Sequence, residues 1–139
     1  MNKNEFSSSS SSPLWTLILS FIYFLFGVNE VSPFILNFIF ATLLVFEIYF
    51  LLRKYTMGAV FNLIVLLSII FFIPLVPIVF CGQEHTIHSF LTILFVYICA
   101  KILSNEKIIF KEYLLSLILA PLITFIHYEG IFMVFVICI

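Results

Sequence analysis

Residues 82–88 read Gly-Gln-Glu-His-Thr-Ile-His, a tight polar cluster between two long apolar runs. Glu84 and His88 are four apart and His85 adjoins Glu84. A helix beginning near Gln83 would therefore carry a carboxylate and two imidazoles on its first turn. A second break, His127-Tyr128-Glu129-Gly130, interrupts the apolar pattern again near the end of the chain. Glu84, His85, His88, His127 and Glu129 are the candidate substrate-binding residues. Each also has a plain structural reading, Glu84 as an acid favouring the positive end of a helix and Glu129-Gly130 as a turn. Glu84, His85, His88 and His127 are chemically suitable metal ligands, but no recognised spacing joins them, and neither a metal nor a cofactor is expected.

The elements that must position these residues are membrane helices. The chain has 139 residues, of which 64% are hydrophobic, 19% aromatic and 9% charged, far from the averages of soluble domains. A net charge of -1 leaves no basic patch for nucleic acid. Residues 1–12 hold six consecutive serines and are expected to form a disordered tail; residues 13–139 form one transmembrane helical domain.

Ser12-Pro13 and Ser32-Pro33 are both helix starts, a capping hydroxyl followed by a residue with no N–H to satisfy. The first run, 13–27, is short for a hydrocarbon core of about 30 Å, so it spans a thinned bilayer, lies at the interface or re-enters, with Trp15 and Tyr23 as interfacial anchors. No small-x-small cleavage pattern follows it, against a signal peptide. The runs 33–52, 59–80, 86–103 and 108–126 are the four expected spans, with Pro74 and Pro77 kinking the run 59–80. The fold class expected is therefore all-α, a polytopic transmembrane helical bundle of about four spanning helices plus a short N-terminal helix.

Glu47 lies inside the second run. It either reaches the Arg53 and Lys54 level and pairs there or is a functional carboxylate within the membrane. The three cysteines, Cys81, Cys99 and Cys138, lack CxxC spacing and read as small packing residues. Arg53 and Lys54 mark one loop and Lys101, Lys107 and Lys111 another, which places both in the cytoplasm and all five candidate site residues on the outer face. The last nine residues, wholly apolar, are too few to cross a bilayer, so the chain is expected to be part of a longer one.

Three segments in order, SSPLWTLILSFIYFLFG at 11–27, GQEHTIHSFLTILF at 82–95 and HYEGIF at 127–132, resemble the GT-C class of polytopic membrane glycosyltransferases, in the bacterial branch with the aminoarabinose-transferase-like proteins and near the protein mannosyltransferases. The resemblance implies a bacterial inner-membrane protein that takes a polyprenyl-phosphate-linked sugar donor at the outer face, with Glu84 near the sugar-phosphate. Gln83 stands where that family commonly has Met, and His127 where it commonly has Arg. The family's catalytic aspartate lies in an outer loop before the Pro-Leu-Trp stretch, whereas this sequence has seven acidic residues, all Glu. The resemblance therefore implies the scaffold and part of the pocket, in a fragment inactive on its own. The alternatives are a non-catalytic small membrane protein acting as a structural or assembly partner for other membrane helices, and a transporter.

Overall fold

A computed structural model describes residues 12–55, 58–72, 75–104 and 110–138. All regular structure among them is α-helical: α1 (Pro13–Phe26), α2 (Ser32–Tyr55), α3 (Ala59–Phe72), α4 (Leu75–Phe80), α5 (His85–Ser104), α6 (Phe110–Ile126) and α7 (Gly130–Cys138). The serine tail up to residue 11, the kink expected at Pro74, and Lys107 lie outside the described residues.

The local signals place most helix starts within a residue or two, but the caps differ from the expectation. Pro13 does stand at the first helical position, yet the Ser12 hydroxyl does not cap α1; the Ser12 carbonyl instead accepts from both the Thr16 amide and the Thr16 hydroxyl, each at 3.2 Å. At α2, Ser32 is already helical, and the opening turn is made by Asn29, whose Oδ1 accepts from the Val31 amide at 2.9 Å. Other hydroxyls along the apolar helices also bond their own backbone a turn earlier: Ser20 to Thr16, Thr42 to Phe38, Ser89 to His85 and Thr124 to Ala120. A hydroxyl satisfied this way adds no unpaired polar group to an apolar surface.

Two helices, α2 with 24 residues and α5 with 20, are long and apolar enough to cross a membrane. Of the expected run 59–80, residues 59–72 and 75–80 are described as helix, 14 and 6 residues long. Pro77 is the third described residue of α4. The run expected at 108–126 is described as a helix from Phe110, 17 residues or about 25 Å long at ~1.5 Å per residue.

α2 and α5 run parallel, because Asn37 meets Thr86 near their starts and Lys54 meets Tyr97 towards their ends. α6 returns antiparallel to α5: Lys101 pairs with Glu112 at one end, and Ile126 packs with Ile87 at the other. A sharp corner at 127–129 then sends α7 back along the pair, where Val134 and Ile137 close over a core of Phe95, Ile98, Leu119 and Ile123. A second core joins Ala41 and Leu44 of α2 to Leu75 of α4. The third core is built around Trp15, which is only 5% exposed against Ile87 and Ile126. That corrects its expected role as an interfacial anchor. The first two turns of α1 hold it to the bundle, and its remainder stands outward, with Phe24 84% and Val28, just beyond it, 87% exposed.

Candidate functional site

The helix carrying the 82–88 cluster begins at His85, not at Gln83, and its first turn has no acidic residue. Glu84 is the residue before it, and its carbonyl accepts the His88 amide at 3.0 Å. Gly82 makes the preceding turn with φ +69°, a left-handed conformation that a side chain would strain, and it lies against Pro33 and Phe34 at the head of α2. The polar cluster thus does not face water as a whole. Glu84 is 7% and Thr86 1% exposed, while Gln83 and His85 stand outside and join each other, His85 Nε2 to Gln83 Oε1 at 2.9 Å.

Forty residues later the chain returns to this place. The α6–α7 corner sets the His127 ring 5.4 Å from His88 and 6.1 Å from His85, centroid to centroid. Gly130 makes the corner possible. A Cβ there would lie 2.7 Å from Ile123 Cγ2 and 2.9 Å from the Ile123 carbonyl oxygen, so α7 can begin this close to α6 only without one. Three of the five candidate residues are therefore one cluster of imidazoles. Glu129 is at its rim, 84% exposed with its carboxylate 4.0 Å from His127 Nδ1, beyond hydrogen-bond reach. Glu84 is on the same end of the bundle but turned inward.

Within the cluster, His88 Nε2 and His127 Nδ1 are enclosed and find no hydrogen-bond partner among the described residues. Thr92 Oγ1, one turn below His88 on α5, is enclosed in the same way. Orphaned buried polar atoms cost ~1–3 kcal/mol each when nothing answers them, so a polar ligand that reached these three would offset that cost. Among the described residues, no group of three His, Cys, Asp or Glu side chains has a geometry that could hold a metal ion.

Two polar features were not foreseen from the sequence. Thr86 Oγ1 donates to Asn37 Oδ1 at 2.5 Å in a completely buried link between α2 and α5. The signal was present, since Asn37 is the one amide side chain in the largely apolar run 33–52. Lys54 Nζ donates to the Tyr97 hydroxyl at 3.0 Å and lies 5.3 Å from the centroids of the Tyr97 and Tyr55 rings. Lys54 does not pair with Glu47, and both Glu47 carboxylate oxygens are enclosed without a partner among the described residues.

Two cavities lie away from this cluster. One of about 470 Å³ between α2, α3 and α4 is apolar, lined by Phe38, Ala41, Ile70, Leu75 and Val79 among others. Another of about 640 Å³ opens where α2 ends and α3 begins, beside Arg53. No family model, no curated protein and no solved structure matches the chain.

Proposed function

We propose that the chain is an integral membrane helical bundle that binds the sugar-phosphate of a polyprenyl-linked donor at its outer end, as part of a glycosyltransferase of the GT-C kind. The observation that carries this reading is the meeting of the 82–88 turn with the 127–130 corner. Two segments that resemble the same family's pocket come together, and enclosed ring nitrogens of His88 and His127 are left for an acceptor oxygen. A phosphate supplies such oxygens, and a ring N–H donates to them.

Membrane placement is supported by the two helices of spanning length and by large apolar side chains exposed along the bundle, among them Phe50, Phe71, Phe110 and Phe132. In water a surface of that kind associates, whereas in a bilayer it meets its solvent. In this reading α6 and the α3–α4 pair complete the crossings, giving about four. α1 lies at the outer interface, and Arg53, Lys54 and Lys101 sit at the cytoplasmic face of a bacterial inner membrane.

In the family this chain resembles the general base is a carboxylate, and such a base acts only within hydrogen-bond reach of the acceptor. Glu84 is turned inward and Glu129 outward, so the role proposed for this chain is donor binding. The test is photo-crosslinking of the full chain in membrane vesicles with a polyprenyl-phosphate sugar. Labelling that falls about tenfold in His88→Leu and His127→Leu, a loss of ~1.4 kcal/mol in binding, is the expected result. Equal labelling by all three proteins, or none by the parent chain, would overturn it.

A second reading is favoured by one observation: none of the cavities just described is lined by His85, His88 or His127. The imidazole cluster then serves as packing between α5 and α6 in a non-catalytic assembly partner. Crosslinking of the native chain to other membrane helices, together with unlabelled His88, would support it.

A further inference from the structure

The opposite end of the bundle carries its own charged residues, and they are not alike. Lys54 is held by the Tyr97 hydroxyl and lies near two tyrosine rings, and Lys101 is paired with Glu112. Arg53 makes no ion pair among the described residues and lines the cavity of about 640 Å³ where the end of α2 faces the beginning of α3. Tyr49 and Asn62 add polar groups to the same wall, Leu63 and Leu66 make the apolar part, and no carboxylate among the described residues lines the cavity.

An unpaired guanidinium in a roomy cleft with one polar and one apolar side is matched to an amphiphile whose polar part is a phosphate. Its planar fork of N–H groups fits a phosphate's oxygens two at a time, and a guanidinium sheds water more readily than an ammonium does. Arg53 also falls at the end of a spanning-length helix, the depth at which lipid phosphates lie if that helix crosses the bilayer. We propose that this cleft is a phosphate-binding site for an anionic phospholipid headgroup, with Arg53 as the charged ligand and Leu63 and Leu66 against the first carbons of the lipid chains. The proposal rests on the membrane placement above and not on the transferase reading.

The test is native mass spectrometry of the full chain, purified in detergent and offered phosphatidylglycerol, phosphatidylcholine or inorganic phosphate. Stripping in detergent removes lipid attracted only by diffuse surface charge, so what remains is seated lipid. The parent chain is expected to keep phosphatidylglycerol in preference to phosphatidylcholine. Arg53→Gln loses that retention about tenfold, the order expected for a charge-assisted pair, while Lys111→Gln, altering an exposed lysine that does not line the cleft, leaves it unchanged. Leu63→Trp fills the cleft with the charge intact and is expected to lower retention as well.

Inorganic phosphate that displaces the lipid, and itself stays bound only while Arg53 is present, would support the phosphate site and make the free anion its ligand. Equal losses in Arg53→Gln and Lys111→Gln, or no retention of either phosphate source by the parent chain, would overturn the proposal. Failure of donor crosslinking at His88 would leave this result untouched, whereas a chain that does not sediment with membranes removes the placement on which both depend.

Discussion

The two ends of the bundle solve the same problem differently. Where α5 finishes and α6 begins, polar groups answer one another: Lys101 with Glu112, Lys54 with Tyr97. Where α5 begins and α6 finishes, His88, His127 and Thr92 each keep an enclosed atom without a partner among the described residues. Paired groups hold helices in register and ask for nothing further. Unanswered ones are retained at a cost in stability, and a site that binds something is a physical reason for that cost. The difference directs attention to the histidine end for polar ligands, and at the other end to Arg53, which makes no ion pair among the described residues.

The comparison breaks most readily at the corner that creates the histidine end. Gly130→Ala places a methyl group against the Ile123 backbone, so α7 must move away from α6. We expect a loss of ~1–3 kcal/mol or more from overpacking, read by thermal unfolding in detergent, and a wider separation of His88 from His127, read by a crosslinker between cysteines placed there. A variant as stable as the parent, with the pair still close, would show that the corner is not tightly built.

Next in size is the buried link between α2 and α5. Asn37→Leu alone strands the Thr86 hydroxyl and is expected to cost ~1–3 kcal/mol, whereas Asn37→Leu with Thr86→Val costs less than either change alone. A double-mutant cycle with no coupling would mean that the hydrogen bond does not hold the helices together.

Glu47→Leu should go the other way. Both carboxylate oxygens are enclosed without partners, so an apolar residue of similar size is expected to raise stability by ~1–3 kcal/mol. Destabilisation would reveal a partner for Glu47 and remove it from the unanswered groups.

The smallest effect is expected at the paired end. The Lys101 side chain is 38% exposed, so solvent screens its pair with Glu112, and Lys101→Met should cost less than ~1 kcal/mol. A larger loss would show that the pair holds α5 and α6 together rather than decorating their surface.

Much of this was legible in the chain. Long apolar runs, proline and serine at helix starts, and polar breaks at 82–88 and 127–130 act within a few residues, so they disclosed an all-helical chain and most of its element boundaries. The two prolines in 59–80 announce a disturbance without saying whether the helix bends or stops there. Trp15 misled for a related reason: its amphipathic ring suits an interface, and only the packing of Ile87 and Ile126 around it makes it a core residue.

What tertiary structure alone decided is which distant side chains meet. Sequence placed Glu84, His85, His88, His127 and Glu129 on one side, but helix rotation and the closeness of α6 to α7 join the three imidazoles while turning Glu84 inward and Glu129 outward. The same packing gives Asn37 to Thr86, gives Lys54 to Tyr97, and leaves Glu47 and Arg53 without an ionic partner among the described residues. A one-dimensional pattern fixes where a helix begins and how apolar it is. It does not fix the azimuth at which two helices touch, because that angle is set by the joint fit of side chains from both.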